Sequence, residues 1–247
     1  MSPQHHLKIA ILLLAGSVSL EVTFLAGLFP VNDLFYHGLH LALMGALIAS
    51  QGRVFLTAGL DDPRRFPALA FAVGAAFTAV GDFVNGALSS VQPVSLKLSW
   101  AMLLFGIGYS LYCLAFWHVR RRQAADGFPW VAAVLAVLVV NVVSWLQHVE
   151  PLLRGMDLLY YGSCLFNATI YVALPVLAFA FCRGTAYRPG GLLVLCGALL
   201  IPFSDLILFA TWMPGNPAVP AFPLYAFNWI LYFSGQVLVS LFPSLVD

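Results

Sequence analysis

Charge is what this sequence has least of: Lys, Arg, Asp and Glu make up only 9% of its 247 residues. An ordinary soluble domain carries about 25%, because a water-facing surface needs that polar cover. Long polar stretches are missing too, which excludes extensive disorder. The net charge of +1 supplies no bulk attraction for nucleic acid, so no such partner is expected. Cysteine is scarce, and none of Cys113, Cys164, Cys182 and Cys196 forms a CxxC pair. A disulfide scaffold and a thiolate zinc site are thereby set aside. No GxSxG elbow, HExxH, Walker A or GxGxxG motif occurs, nor any Ser-His-Asp or Cys-His arrangement. Nucleotide and nicotinamide chemistry have no foothold, and the reading calls for no cofactor.

What is present is hydrophobicity, at 62% of residues. About 20 mostly apolar residues suffice to cross a bilayer as a helix. Eight runs qualify: Leu7 to Leu28, Leu34 to Phe55, Phe66 to Leu88, Leu96 to His118, Phe128 to His148, Asp157 to Phe181, Gly191 to Trp212 and Ala221 to Phe242. The fold class is therefore all-α, a polytopic membrane bundle in one domain. Short connections rich in Pro, Gly, Asn and Asp separate the runs, as in LDDPRRFP. The first run is too long for a signal peptide and lacks a small-x-small cleavage site, so it reads as retained. Arg53, Arg64, Arg65, Arg120, Arg121, Arg122, Arg183 and Arg188 flank the even-numbered connections, and Lys8 lies at the N-terminus. Only Lys97 and Arg154 fall on the other side. The positive-inside rule then places both termini in the cytoplasm of a cell membrane, the inner one in a bacterial host.

The halves echo one another. NDLFYHG from Asn32 resembles MDLLYYG from Met156, and nearly the same offset takes Gly81-Asp82 to Ser204-Asp205 and Tyr109 to Tyr232. Parallel four-helix repeats over 7–118 and 128–242 would produce this pattern.

Orientation turns sequence position into depth. Glu21, His37, His40, Asp82, Asn85, Asp205 and Asn228 all fall in the half of the membrane away from the termini, with Tyr109 and Asn167 nearer the middle. A polar cup opening on that side is expected, above an apolar lower half. Faces agree: His37 with His40, Asp82 with Asn85 and Tyr109 with Tyr112 are three apart. Ser163, Asn167 and Tyr171 share a face, as do Asn228, Tyr232 and Gln236. A carboxylate near the bilayer centre costs about 2.5–3.5 kcal/mol, so such groups pair or line a wet cavity. The bland reading is that these acids are hydrogen-bonded packing groups and the Tyr, Asn and Gln side chains interhelical ties. His148 and Glu150 sit where the chain leaves the lipid and read as solvated.

Several stretches resemble the YhhN family, which includes the lysoplasmalogenases. AVGDFVNG (from Ala79), LFGIGYSLYCLAF (from Leu104), GALLIPFSDLILFATW (from Gly197) and LYFSGQVLVS (from Leu231) are similar to its motifs in the third, fourth, seventh and eighth spans, in order. The chain departs from the family at Tyr109, where His is frequent, and at HGLHLALMG, where the family has Lys-Pro. The resemblance implies hydrolysis of the vinyl ether bond of a lysoplasmalogen, giving a fatty aldehyde and a glycerophospho-alcohol, with a lysophospholipid or other single-chain lipid as partner. Asp82 and Asp205 would divide acid and base roles, as paired carboxyls do in glycoside hydrolysis. Glu21, His37, His40, Asn85, Tyr109, Tyr112, Asn167, Tyr171, Ser204, Asn228, Tyr232 and Gln236 would bind substrate, with the alkenyl chain in the lower bundle. Two alternatives compete. The family is grouped with ceramidase-like hydrolases that use a His, Asp and Ser zinc site, for which His37, His40, Asp82 and Ser204 are the candidates. A small proton-coupled transporter or lipid-binding protein would also use buried acids, but should show polar paths at both membrane faces.

Overall fold

In lipid every backbone N–H and C=O must be satisfied within the protein, so an apolar run of this length has little choice but to form a helix. The computed structural model describes residues 3–28, 33–86, 94–121, 127, 129–148, 162–164, 166–212 and 222–246. All regular structure among them is helical. The helices are α1 (Pro3–Leu25), α2 (Asp33–Thr57), α3 (Arg65–Gly86), α4 (Val94–Arg120), α5 (Trp130–His148), α6 (Gly162–Gly184), α7 (Pro189–Trp212) and α8 (Phe222–Val239). Each coincides with one expected span; α1 begins a turn earlier than hydropathy suggests. Seven are long and apolar enough to cross a membrane, and α5 contributes a shorter apolar stretch, Trp130–Val139. The chain is a multi-pass membrane protein.

Seven helices pack as a closed ring in the order α1, α2, α3, α4, α6, α7, α8 and back to α1. The fifth lies outside it, against α6, where Trp130, Ala133 and Val137 meet Val176 and Ala180. Large apolar side chains such as Leu12, Leu56 and Val131 point outward, the expected arrangement when lipid is the solvent.

Two glycine pairs bring neighbouring helices to backbone contact. A Cβ on Gly74 would lie 2.8 Å from the Gly108 carbonyl oxygen, and one on Gly197 would lie 2.8 Å from that of Gly235. Close approach through small residues is a common solution for helices in lipid. Gly74 precedes Asp82, and Gly197 precedes Asp205, by the same two turns of helix. Each acid thus stands two turns beyond a close contact of its helix with the next.

Prolines loosen the helices beside the site. Pro175 lacks an N–H, and the turn before it, Ala168–Ala173, is π-helical; an irregular turn is a usual response to an interrupted ladder. Pro202 interrupts α7 three residues before Asp205 in the same way.

Packing in the half nearer the termini is dense and aromatic. Phe71 stacks on Tyr112 with centroids 4.4 Å apart, and Phe242 meets Phe116 at 4.1 Å and Phe181 at 4.7 Å. The centre of the lower bundle is therefore occupied by these rings. At the end beyond these rings, His6 and Gln51 are buried, and Gln51 Nε2 donates to the Ser240 carbonyl at 2.9 Å. This ties the start of α1 and the end of α8 to α2. Among the described residues the aromatic layer separates that small polar group from the cup.

Candidate functional site

The cup begins with Glu21, fully buried one turn from the end of α1. Its carboxylate is held by α2 on both oxygens: the Tyr36 hydroxyl donates to Oε2 at 2.7 Å, and His40 Nε2 lies 2.7 Å from Oε1. Tyr36 and His40 are four residues apart, so one helical face delivers both groups. The His40 imidazole is clamped as well as bonded. It stacks on Trp229 with centroids 3.6 Å apart and planes 5° from parallel, while Tyr36 meets it edge-on at 4.2 Å.

His37 lies one turn earlier on α2, its ring edge-on to His40 and to Tyr225. It passes directly over Gly86: any Cβ at that position would run into the imidazole. Glycine at the end of α3 is what allows the ring to lie there. Facing these rings is half-buried Asp82. His37, His40 and Asp82 each offer one ligand atom, and the three lie within 4.8 Å of one another.

Deeper, Asp205 on α7 is buried, with Oδ2 in contact with no hydrogen-bond partner. Asp82 and Asp205 are near enough for the charge of one to act on the other, and Glu21 acts likewise on Asp82. Acids from α1, α3 and α7 thus gather in the cup. Its floor is a polar net: the Tyr112 hydroxyl donates to Gln236 Oε1 at 2.6 Å, and Gln236 Nε2 donates to the Tyr109 hydroxyl at 3.3 Å. Tyr232 reaches the Thr78 carbonyl more weakly, at 3.4 Å. Tyr171, from the π-helical turn of α6, is close enough to feel the charge of Asp205.

On the helices of the cup, His40 Nδ1, Asn85 Oδ1, Asp205 Oδ2, Asn228 Oδ1 and Trp229 Nε1 are buried without a hydrogen-bond partner among the described residues. Buried polar atoms are rarely left so. A polar occupant, water included, would satisfy them.

Of the residues singled out from sequence, Glu21, His37, His40, Asp82, Tyr109, Tyr112, Asp205, Tyr232 and Gln236 come together here. Asn85 is buried at the end of α3, and Asn228 precedes the Trp229 that covers His40. Asn167 is buried on α6. Ser204 is buried, but its hydroxyl donates to the Ile201 carbonyl of its own helix at 2.7 Å. His148 and Glu150 have side chains outside the described residues. Tyr36, Tyr225 and Trp229 belong to the site and were not singled out, although Tyr36 stands inside the NDLFYHG echo; aromatic neighbours in an aromatic-rich membrane chain carry little signal of their own.

A cavity of about 650 Å³ lies between α4 and α6, lined by Leu96, Trp100, Leu103, Ile107 and Phe166 among others. Its described lining is almost wholly apolar and includes none of the titratable groups of the cup. Phe166 stands between it and the cup, its ring edge-on to Tyr109 at 6.3 Å.

Residues 37–241 match the family model of the YhhN family. No curated protein and no solved structure matches the chain.

Proposed function

Since this chain belongs to the YhhN family, we propose that it is a membrane hydrolase that cleaves the vinyl ether bond of a lysoplasmalogen. The observation that carries the reading is that Asp82 and Asp205, from separate helices, lie within reach of each other's charge, with Asp205 Oδ2 unpartnered among the described residues.

The chemistry needs an acid, a water and a base. We assign the acid to Asp205, whose Oδ2 has no hydrogen-bond partner among the described residues, so an O–H there is left to face a carbon. Its proton adds to the β-carbon of the alkene, and the α-carbon becomes an oxocarbenium ion. Water attacks that carbon while Asp82 takes its proton, giving a hemiacetal. Collapse breaks the bond to the glycerol oxygen, which takes the hydroxyl proton, and releases aldehyde and alcohol. One water is consumed, and the proton on Asp82 returns to Asp205. Carboxylate charge beside the cationic transition state lowers its energy. Gln236, Tyr109 and Asn228 orient water and headgroup. The groove between α4 and α6 is the place we assign to the alkenyl chain.

A second reading is favoured by one observation, the gathering of His37, His40 and Asp82. The zinc implied by the likeness to ceramidase-type hydrolases fits these three; Ser204, turned to its own helix, is not needed. When bound there, zinc supplies Lewis-acid activation of water toward an ester or amide. The transporter reading is weakened by the aromatic layer between the two polar ends.

The test is to incubate purified protein with lysoplasmalogen and with its ester-linked counterpart, with and without chelator, and to measure aldehyde and fatty acid. We expect aldehyde, reduced by about 10²–10⁴-fold in Asp82→Asn and in Asp205→Asn, the range for lost acid–base catalysis. Fatty acid from the ester, lost on chelation and restored by zinc, would favour the second reading. Release of neither product refutes both for these lipids.

A further inference from the structure

We infer that Glu21 and Tyr36 form a positioning pair that presents His40, through Nδ1, to a transition-metal dication shared with His37 and Asp82. The inference deepens the second, zinc-dependent reading, and rests on it.

The geometry leaves His40 one free nitrogen. Nε2 is taken by Glu21 Oε1 at 2.7 Å, and Glu21 is itself fixed by Tyr36 on its other oxygen. With Nε2 occupied by that carboxylate, Nδ1 is the nitrogen left for a ligand, and it is buried with no hydrogen-bond partner among the described residues. The stack on Trp229 stops the ring from swinging away. A carboxylate holding the distal nitrogen of a histidine whose other nitrogen is bare is the usual support for a metal-ligating imidazole.

The remaining donors suit the same class of ion. Two imidazoles and one carboxylate match the three-ligand sets of zinc and its neighbours, with a further position open. Their ligand atoms lie within 4.8 Å of one another. Bonds of about 2.1 Å in a tetrahedron put such atoms roughly 3.4 Å apart, so the three need close by little more than about 1 Å. Glu21 lies outside the trio and serves it through His40. A merely structural role for Glu21 would be a tie between α1 and α2, with no consequence for metal affinity.

The test reads metal binding, not turnover. Full-length protein in detergent is stripped with chelator, then titrated with Zn²⁺ and Co²⁺ against a chromophoric competitor, with metal content measured by elemental analysis. We expect one dication per chain, lost in His40→Ala and Asp82→Ala. Glu21→Gln, whose amide can donate to Nε2 and force the proton onto Nδ1, should weaken binding about 10–100-fold. Tyr36→Phe should weaken it less and keep the Co²⁺ absorption spectrum. Thermal melting of each variant separates misfolding from lost ligation, and Tyr36→Phe carries the test if Glu21→Gln does not fold. Wild-type protein that takes up no stoichiometric Zn²⁺ or Co²⁺ overturns the site. Unchanged affinity in folded Glu21→Gln and Tyr36→Phe overturns the positioning role. Aldehyde release by protein that takes up no dication would leave the vinyl ether hydrolase standing while this inference fell; dication uptake without either lipid product would do the reverse.

Discussion

Replacing Gly74 with alanine should destabilise this protein, whereas the same change at Gly106, one helix away, should stabilise it. At position 74 the new Cβ falls 2.6 Å from Tyr112 Cε1 and 2.8 Å from the Gly108 carbonyl oxygen. Carbon atoms rest about 3.5–4.0 Å apart, so the ring must retreat by roughly 1 Å or the helices must part. Retreat is opposed on two sides. Tyr112 is stacked on Phe71 at 4.4 Å, and its hydroxyl holds Gln236 at 2.6 Å. Overpacking of this kind costs about 1–3 kcal/mol, and a lost hydrogen bond adds about 1 kcal/mol. Alanine returns about 1 kcal/mol of helix propensity. The net loss is about 1–3 kcal/mol, where each 1–2 kcal/mol changes the folded-to-unfolded ratio by about 5–30-fold. At Gly106 a Cβ meets nothing within 4 Å, so only the propensity gain of about 0.5–1 kcal/mol remains. Thermal unfolding in detergent, followed by helical circular dichroism, would order the midpoints Gly106→Ala, wild type, Gly74→Ala. A Gly74→Ala midpoint at or above that of Gly106→Ala would refute the reasoning.

Two further outcomes concern stability. Tyr112→Phe leaves Gln236 Oε1 buried without the donor it has at 2.6 Å, a loss of about 1–3 kcal/mol. Tyr232→Phe removes only a 3.4 Å contact and should cost less than about 1 kcal/mol; equal losses in unfolding assays would show that the net does not support the cup. In the α2–α3 connection, Asp62 accepts from Arg64 Nε and Nη2, which together with the Arg64 backbone N–H hold its carboxyl down at about 2 against partial desolvation. The folded value lies below the unfolded one, near 3.9. Its contribution is therefore complete above about pH 4–5 and fades as pH falls through 2. Because the pair is partly exposed, Asp62→Asn should cost at most about 1 kcal/mol. That difference from wild type should stay constant between pH 5 and 8 and close in strong acid; a difference that varies across the neutral range would count against the pairing.

The number and limits of the helices were legible in the chain because a helix in lipid must satisfy its own backbone, so span length and hydropathy are properties of each segment alone. Depth was legible for a related reason: alternating helices assign each polar residue to one end of the bundle. Glu21, His37, Asp82 and Asp205 could thus be placed in one cup before any fold was known. Contact was not legible. No spacing in the sequence pairs Glu21 with both Tyr36 and His40, places Trp229 flat on that imidazole, or turns Ser204 back onto Ile201. Nor does any sequence signal show that His37 occupies the space a side chain at Gly86 would need. The apolar lower half holds stacked rings at its centre and, between α4 and α6, a groove that reaches Leu114, since hydropathy says that a side chain avoids water but not what it packs against. Those outcomes belong to the tertiary structure, because they depend on how each helix is turned about its axis, and the rotation is set only when all the faces of the ring pack together.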